Sequence, residues 1–544
     1  MPSSKTTPSW LRRCQQAFDA LASRKIYAVV FCAGVALSVS AIFTAIRVPV
    51  PRVHDEFSYL LAADTFTSGR LANRPSPFWQ HFESFHIIHQ PTYASKYQPG
   101  QGMLLATGTL IGGHPIVGAW LATALAAAAV CWMLQGWVPS RWALLGGLLV
   151  ALHGMIQVRW SLSYWGGGLP MAGGALMFGA LPRIQRGPQV STTLLMAGGA
   201  LLLAATRPFE GFLVGICVAV ALLDWMRSDQ RPDWMTVFSH VIIPAAAVLW
   251  AGIAALGFYN MCVTGDPLTM PYQIHESEYA HSPIFLWNQP EAAGEYRHAE
   301  MKEFFTGWAF EGYQQQATLL GFLQAKLVAA KDLGLFFLGG ALCLPLIMFR
   351  QLLRRRRLYF VWLALLIFLA AEAAVPWTYP HYIAPVAPLL FLLIVEGMRY
   401  LATLPRQGHA WARLAVPAIM LFHCLGLSLL LVKYATWQPD GWEWQRARIV
   451  EQLENTPGNH LVFVSYGPDH NGHHEWVYNR ANINRAKIVW ARQIDRESNE
   501  QLLRCLHYRS VWTLDADTEQ PQLIAYPRDD QRDHLSTVSQ ASPR

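Results

Sequence analysis

Charge is what this sequence has least of. Asp, Glu, Lys and Arg make up only 14% of its 544 residues against 53% hydrophobic ones, and the mean hydropathy is +0.21. That balance excludes a string of soluble domains and makes a bilayer the main solvent of the chain. A cysteine pattern is missing too. The eight cysteines (Cys14, Cys32, Cys131, Cys217, Cys262, Cys343, Cys424 and Cys505) are scattered, mostly inside apolar segments, and show no metal-ligand spacing. They read as small core residues, which argues against a disulfide frame or a zinc site. No small-residue cleavage site follows the first apolar run, about Ile26 to Ile46, so that run reads as a retained anchor. Nor is there an extended basic tract. The net charge of +7 comes from short clusters between apolar runs, as the positive-inside rule expects, and no nucleic-acid partner is implied.

What is abundant is apolar sequence. After the first run, further ones lie near residues 100–113, 115–136, 142–158, 165–182, 190–206, 209–226, 236–262, 327–349, 358–376, 381–402 and 413–433. These give a mainly α fold, a polytopic membrane helix bundle of about 11 to 13 spans. The basic markers are the N-terminal cluster (residues 1–25), Arg183 with Arg186, Arg227 with Arg231, Arg354 to Arg357, and Arg406 with Arg413. If these are cytoplasmic, the loop 47–98 lies outside. Four candidate spans then separate it from Arg183, which is the wrong parity. Residues 100–113, short, Gly-rich and opening at Pro99, are therefore expected to form a half-helix or re-entrant segment, or to fuse with the neighbouring run, with 142–158 the next weakest.

The expected organisation is a cytoplasmic N-terminus over 1–25, a membrane domain over 26–433 with outer loops 47–98 and 263–326, and a small soluble α/β domain over 434–544. The second loop is acidic, with Asp266, Glu276, Glu278, Glu291, Glu295, Glu300, Glu303 and Glu311 against Arg297, Lys302 and Lys326. In the tail, strand-like runs at His460–Tyr466, Lys487–Ala491 and Ser510–Leu514 alternate with helical stretches such as Trp444–Leu453. The last twenty or so residues are polar and are expected to be disordered.

The most informative stretch follows the first span: Arg52-Val53-His54-Asp55-Glu56-Phe57-Ser58-Tyr59, then Ala62-Ala63-Asp64. Two adjacent carboxylates beside a membrane are costly unless used. Their structural reading is a solvated helix start, where acidic side chains suit the helix dipole. Together with Lys96-Tyr97-Gln98-Pro99-Gly100-Gln101-Gly102 downstream, this stretch resembles the front end of the GT-C glycosyltransferase superfamily, nearest its protein-mannosyltransferase and aminoarabinose-transferase branch. The resemblance implies a membrane glycosyltransferase that moves a sugar from a polyprenyl-phosphate donor to a lipid, polysaccharide or protein acceptor on the non-cytoplasmic side. For a bacterial cell-envelope enzyme that means the inner membrane, with the site facing the periplasm. It implies that Asp55, with Glu56 beside it, is the base or positioning group for the acceptor, and that the sugar carbon is inverted.

Such a transfer needs cations for the departing phosphate. The candidates are Lys96, also readable as a snorkelling interfacial lysine; Arg207, which could instead pair with Glu210 to cap a turn; and His381 with Tyr382, in Tyr379-Pro380-His381-Tyr382, where the family type often places an Arg-Tyr or His-Tyr pair. Substrate contacts are expected from Glu83, His86, Tyr93, Tyr97, Tyr164, Trp165 and Glu210. The segment His81 to Tyr93 offers His81, Glu83, His86 and His89 as ligands for a divalent metal, but at no standard spacing. No metal ligand is assigned and no cofactor is required, though a divalent metal stays possible. Ser161 to Gly168 combines aromatics with glycines, which suits sugar stacking and equally an interfacial belt. The chain departs from many GT-C enzymes in having no acidic residue between Gln157 and Pro170, which speaks against a mechanism using two acidic loops. The cluster His470, His473, His474, Glu475, Trp476 reads as a solvated loop sooner than a site. The rival reading is a secondary transporter or lipid flippase using Glu372, His153 and Glu396, although no internal repeat is visible.

Overall fold

The computed structural model describes residues 9–527; the expected disordered end lies outside them. Among the described residues, six helices are long and apolar enough to cross a bilayer: Lys25–Ile46, Ile116–Trp137, Pro208–Arg227, Trp234–Thr264, Ala387–Gln407 and Ala412–Thr436. Ser140–Ala151 with Gly154–Ser161, bent by 43°, makes a seventh if counted as one span. By this measure the protein is a multi-pass membrane protein, with fewer full-length spans than the eleven to thirteen expected. The other apolar runs do become helices: Gly168–Arg186 and Leu319–Phe337 have 19 residues each, and Val190–Ala204 and Tyr359–Glu372 are shorter. The run expected at 327–349 is a helix over Leu319–Phe337 followed by turns. Its start is set by Thr318, whose hydroxyl caps Gly321 N–H at 3.1 Å.

The Gly-rich run that opens at Pro99 forms the helix Pro99–Gly112. Its 14 residues rise about 21 Å at 1.5 Å each, short of a hydrocarbon core of about 30 Å. It folds back on Ile116–Trp137 through two glycines, since a Cβ on Gly108 would meet the Gly118 nitrogen at 2.1 Å.

In the tail, the strands His460–Ser465, Ile488–Arg492 and Ser510–Asp515 are parallel, with His460–Ser465 central; Ile524–Ala525 adds an antiparallel edge. The helices Trp442–Asn455 and Arg496–Cys505 complete the α/β unit. Because side chains alternate along a strand, Val462 and Val464 pack with Ile449 and Leu453, whereas Leu461 and Phe463 share a core with Phe57, Leu61, Phe82 and Ile87 of the segment 47–98. The tail is thus fused to the loop that carries Asp55.

Arg492 fastens that junction. Its guanidinium, 1% exposed, pairs with Glu475 and Glu300, and its Nε donates to the Glu83 carbonyl at 2.7 Å. Arg492→Met strands the fully buried Glu475. On the order of 3–5 kcal/mol should be lost, seen as earlier melting and faster proteolytic release of the tail.

Candidate active site

The helix His54–Thr67 begins where the first span emerges. Glu56, 2% exposed, holds this start together. One carboxylate oxygen accepts from Arg52 N–H (2.8 Å) and Val53 N–H (3.3 Å), the other from Tyr164 N–H (2.9 Å). The pair of acidic residues therefore divides its work: Glu56 points inward to backbone amides, and half-buried Asp55 faces a cavity of about 580 Å³, within the size range of small-molecule sites. The Tyr97 hydroxyl donates to Asp55, and burial, then the Asp55 charge, pushes the Tyr97 phenol well above its ordinary value.

Several chain segments converge here. Asp55, His86, Lys96, Tyr97, Trp165, Arg207, Glu210, His381 and Tyr382 all line the cavity. Lys96, 5% exposed, extends its ammonium to Glu276 (3.2 Å) and over the Tyr272 ring (4.9 Å). Arg207 lies 3.7 Å from Glu210 and 4.5 Å above the centre of the Tyr382 ring. Tyr382 stands edge to face with His381, which packs on Trp165. Burial, and then the Arg207 charge, drives the His381 imidazole well below its ordinary value, so near neutral pH it is a neutral hydrogen-bonding ring. Burial does the same to His86, with Lys96 adding to it. His86 holds φ at +61°, a strained position for a non-glycine residue, fixed because its carbonyl accepts from both the Ser58 hydroxyl (2.7 Å) and Lys96 N–H (3.3 Å).

Three other expected contacts lie outside the cavity lining. Glu83 is 1% exposed and bound by the Tyr279 hydroxyl (2.7 Å), with His298 (3.2 Å) and Arg297 (3.4 Å) beside it. Tyr93 donates to the Asn479 carbonyl, tying the loop to the tail. Tyr164 donates to the Pro49 carbonyl at 2.8 Å. The glycines that follow serve the protein's own packing. Gly166, at φ +70°, comes so close to Gln101 that a Cβ would lie 2.6 Å from its amide. Among the described residues no three His, Cys, Asp or Glu side chains are grouped to hold a metal ion.

The cavity also takes residues that the sequence reading did not assign to it: Tyr272, Glu276, Trp308, Trp377 and Tyr379, with His54 and, from the tail, His473. His54 Nε2 donates to the Gly472 carbonyl at 2.9 Å and its ring stacks with that of His473. The loop expected to be merely solvated is therefore split: His473 reaches the site, and Glu475 is the buried partner of Arg492. The acidic bias of 263–326 hinted at Glu276, and Tyr379 adjoins the Pro380-His381-Tyr382 motif; Tyr272, Trp308 and Trp377 carried no such signal. The two transporter candidates elsewhere in the bundle are structurally committed. Glu396, at the far end of its helix from His381, is clasped by Arg355 (2.6 Å), Arg399 (2.8 Å) and Arg357 (3.0 Å), and His153 bonds the Phe337 carbonyl (3.0 Å).

The Lys96–Glu276 pair has a pH signature. Burial pushes the Glu276 carboxyl up, but Lys96 and His275 outweigh it and hold it down, from an ordinary 4.5 to about 2. A carboxyl depressed on folding adds stability above its unfolded value, and that contribution fades as pH falls through the folded one. The melting-temperature gap between wild type and Glu276→Gln should accordingly be widest above pH 4.5 and shrink steadily toward pH 2.

No family model matches the chain, and no curated protein matches it in sequence. Solved structures do match in fold. ArnT from Cupriavidus metallidurans bound to undecaprenyl phosphate is 13% identical, with a TM-score of 0.50 over 90% of this chain and 92% of that one. The same ArnT in the apo state gives 12% identity and a TM-score of 0.49, covering 94% of each chain. The archaeal oligosaccharyltransferase AglB from Archaeoglobus fulgidus, in complex with an inhibitory peptide and a dolichol-phosphate, gives 12% identity and a TM-score of 0.45 over 89% of this chain and 69% of that one. In fold, the chain resembles ArnT.

Proposed function

We propose that this protein is a membrane glycosyltransferase that takes a sugar from a polyprenyl-phosphate carrier and passes it to a hydroxyl-bearing or amino-bearing acceptor at the non-cytoplasmic face. One observation carries the reading: a single cavity holds a half-buried carboxylate, Asp55, together with the buried ammonium of Lys96 and the guanidinium of Arg207. Acid–base work and anion stabilisation are the two demands of this transfer, and few other reactions want both beside a lipid phase. The solved protein of like fold carries undecaprenyl phosphate, which supports a polyprenyl phosphate as the leaving group.

Asp55 accepts the proton of the acceptor as its oxygen or nitrogen bonds to the anomeric carbon. The bond from that carbon to the phosphate oxygen breaks, and its electron pair leaves with the lipid phosphate. Attack opposite the departing phosphate inverts the carbon. Arg207 and Lys96 meet the charge that grows on the phosphate, and neutral His381 and Tyr382 supply hydrogen bonds. In the resting site both cations lean on carboxylates, Glu210 and Glu276, so phosphate binding exchanges one anion for another and avoids baring a buried charge. These two cations do for the phosphate what a bound metal could otherwise do.

The direct test supplies purified protein with undecaprenyl-phosphate sugars and an envelope extract as acceptor source. Free undecaprenyl phosphate should appear only when both are present. Sugar that crosses the membrane with its phosphate bond intact would instead support the transporter reading.

A further inference from the structure

One carboxyl beside the cavity has no partner. Glu372 ends the helix Tyr359–Glu372, whose other thirteen residues carry no charge. It is 2% exposed and lines the same cavity as Arg207, yet among the described residues no donor reaches either of its oxygens. Buried polar atoms are nearly always hydrogen-bonded, because an unmatched one forfeits its hydration for nothing. The nearby cations are engaged elsewhere: Lys326 gives its ammonium to the Val375 carbonyl at 2.6 Å, and Arg207 leans on Glu210 and the Tyr382 ring. Glu372 has charged company without a hydrogen bond.

The chemistry of the missing partner follows from what a carboxylate accepts. A phosphate offers mainly acceptors and negative charge, which the cations Arg207 and Lys96 answer and a carboxyl group does not. A sugar offers neighbouring hydroxyls, two donors spaced to match the two oxygens of one carboxylate. Resting on the glycosyltransferase reading above, we propose that Glu372 is a specificity residue for the donor, its carboxylate receiving two adjacent hydroxyls of the transferred sugar while Arg207 and Lys96 hold the phosphate.

The experiment compares wild type with Glu372→Gln and Glu372→Leu in detergent, measuring affinity for undecaprenyl phosphate, undecaprenyl-phosphate glucose and undecaprenyl-phosphate mannose. Bare undecaprenyl phosphate should bind both variants within about twofold of wild type, which also reports that the site is folded. At least one of the two glycolipids should bind more weakly by about tenfold in Glu372→Gln and more in Glu372→Leu, since a tenfold change corresponds to one good hydrogen bond. The proposal is overturned if both variants bind both glycolipids with wild-type affinity, or if bare lipid phosphate is lost in step with them. Failure of wild type to bind any of the three lipids would overturn the donor assignment itself, and this proposal with it.

Discussion

Asp55→Asn should yield a protein that folds, binds lipid phosphate and transfers almost no sugar. The side chain keeps its shape and still accepts from the Tyr97 hydroxyl, so the packing of the helix His54–Thr67 is untouched. What disappears is the capacity to take a proton from the acceptor. Loss of a positioned general base costs roughly 10²- to 10⁴-fold in rate, and the loss should fall on kcat, with affinity for undecaprenyl phosphate unchanged. Glu56→Gln should behave in the opposite way. Its carboxylate serves three backbone amides and not the cavity, so melting temperature should fall and turnover per folded molecule should be largely kept. Normal turnover by Asp55→Asn would remove the carboxylate from the mechanism.

The second large effect belongs to Arg207. Arg207→Gln removes the cation that lies beside Glu210 and over the Tyr382 ring, and a donor aimed at developing charge is worth about 10²- to 10³-fold in kcat. Unpaired Glu210 would confuse the result, because stranding a buried charge also destabilises. The double variant Arg207→Gln with Glu210→Gln restores the charge balance. It should recover the melting temperature while transfer remains as slow as in the single variant. Arg207→Lys should rescue only part of the rate, since a point charge does not reproduce the planar fork of guanidinium against phosphate. If the double variant regains full activity, Arg207 is a structural partner of Glu210 and nothing more.

Much of this was legible along the chain, for identifiable reasons. Apolar runs of membrane length and arginine clusters at their ends are local signals, and parity together with the short Gly-rich run after Pro99 singled out Pro99–Gly112. The strands around His460–Ser465 announced themselves by β-branched runs between helical ones. The count of full spans was not legible, because apolarity does not report where a helix is cut. Thr318 starts one helix eight residues earlier than composition suggested, and Tyr359–Glu372 stops after 14 residues. At the site, Asp55, Lys96, Arg207, His381 and Tyr382 were legible as charged or hydrogen-bonding side chains next to spans. Glu83, Tyr93 and Tyr164 looked the same in sequence but are spent on Tyr279, Asn479 and Pro49.

The sequence by itself determined the solvent of this protein, its helical class, its α/β tail and the short set of polar residues that a membrane would tolerate only for a purpose. Hydropathy, charge clusters and strand periodicity are properties of neighbours in the chain, so they can be read there. Which carboxylate of the Asp55–Glu56 pair faces the cavity was decided only by the fold, through backbone amides from Arg52, Val53 and distant Tyr164. The same holds for the entry of Glu276 and His473 into the site. The physical reason is that partners for a buried charge are chosen by proximity in space, and residues hundreds of positions apart carry no local mark of meeting.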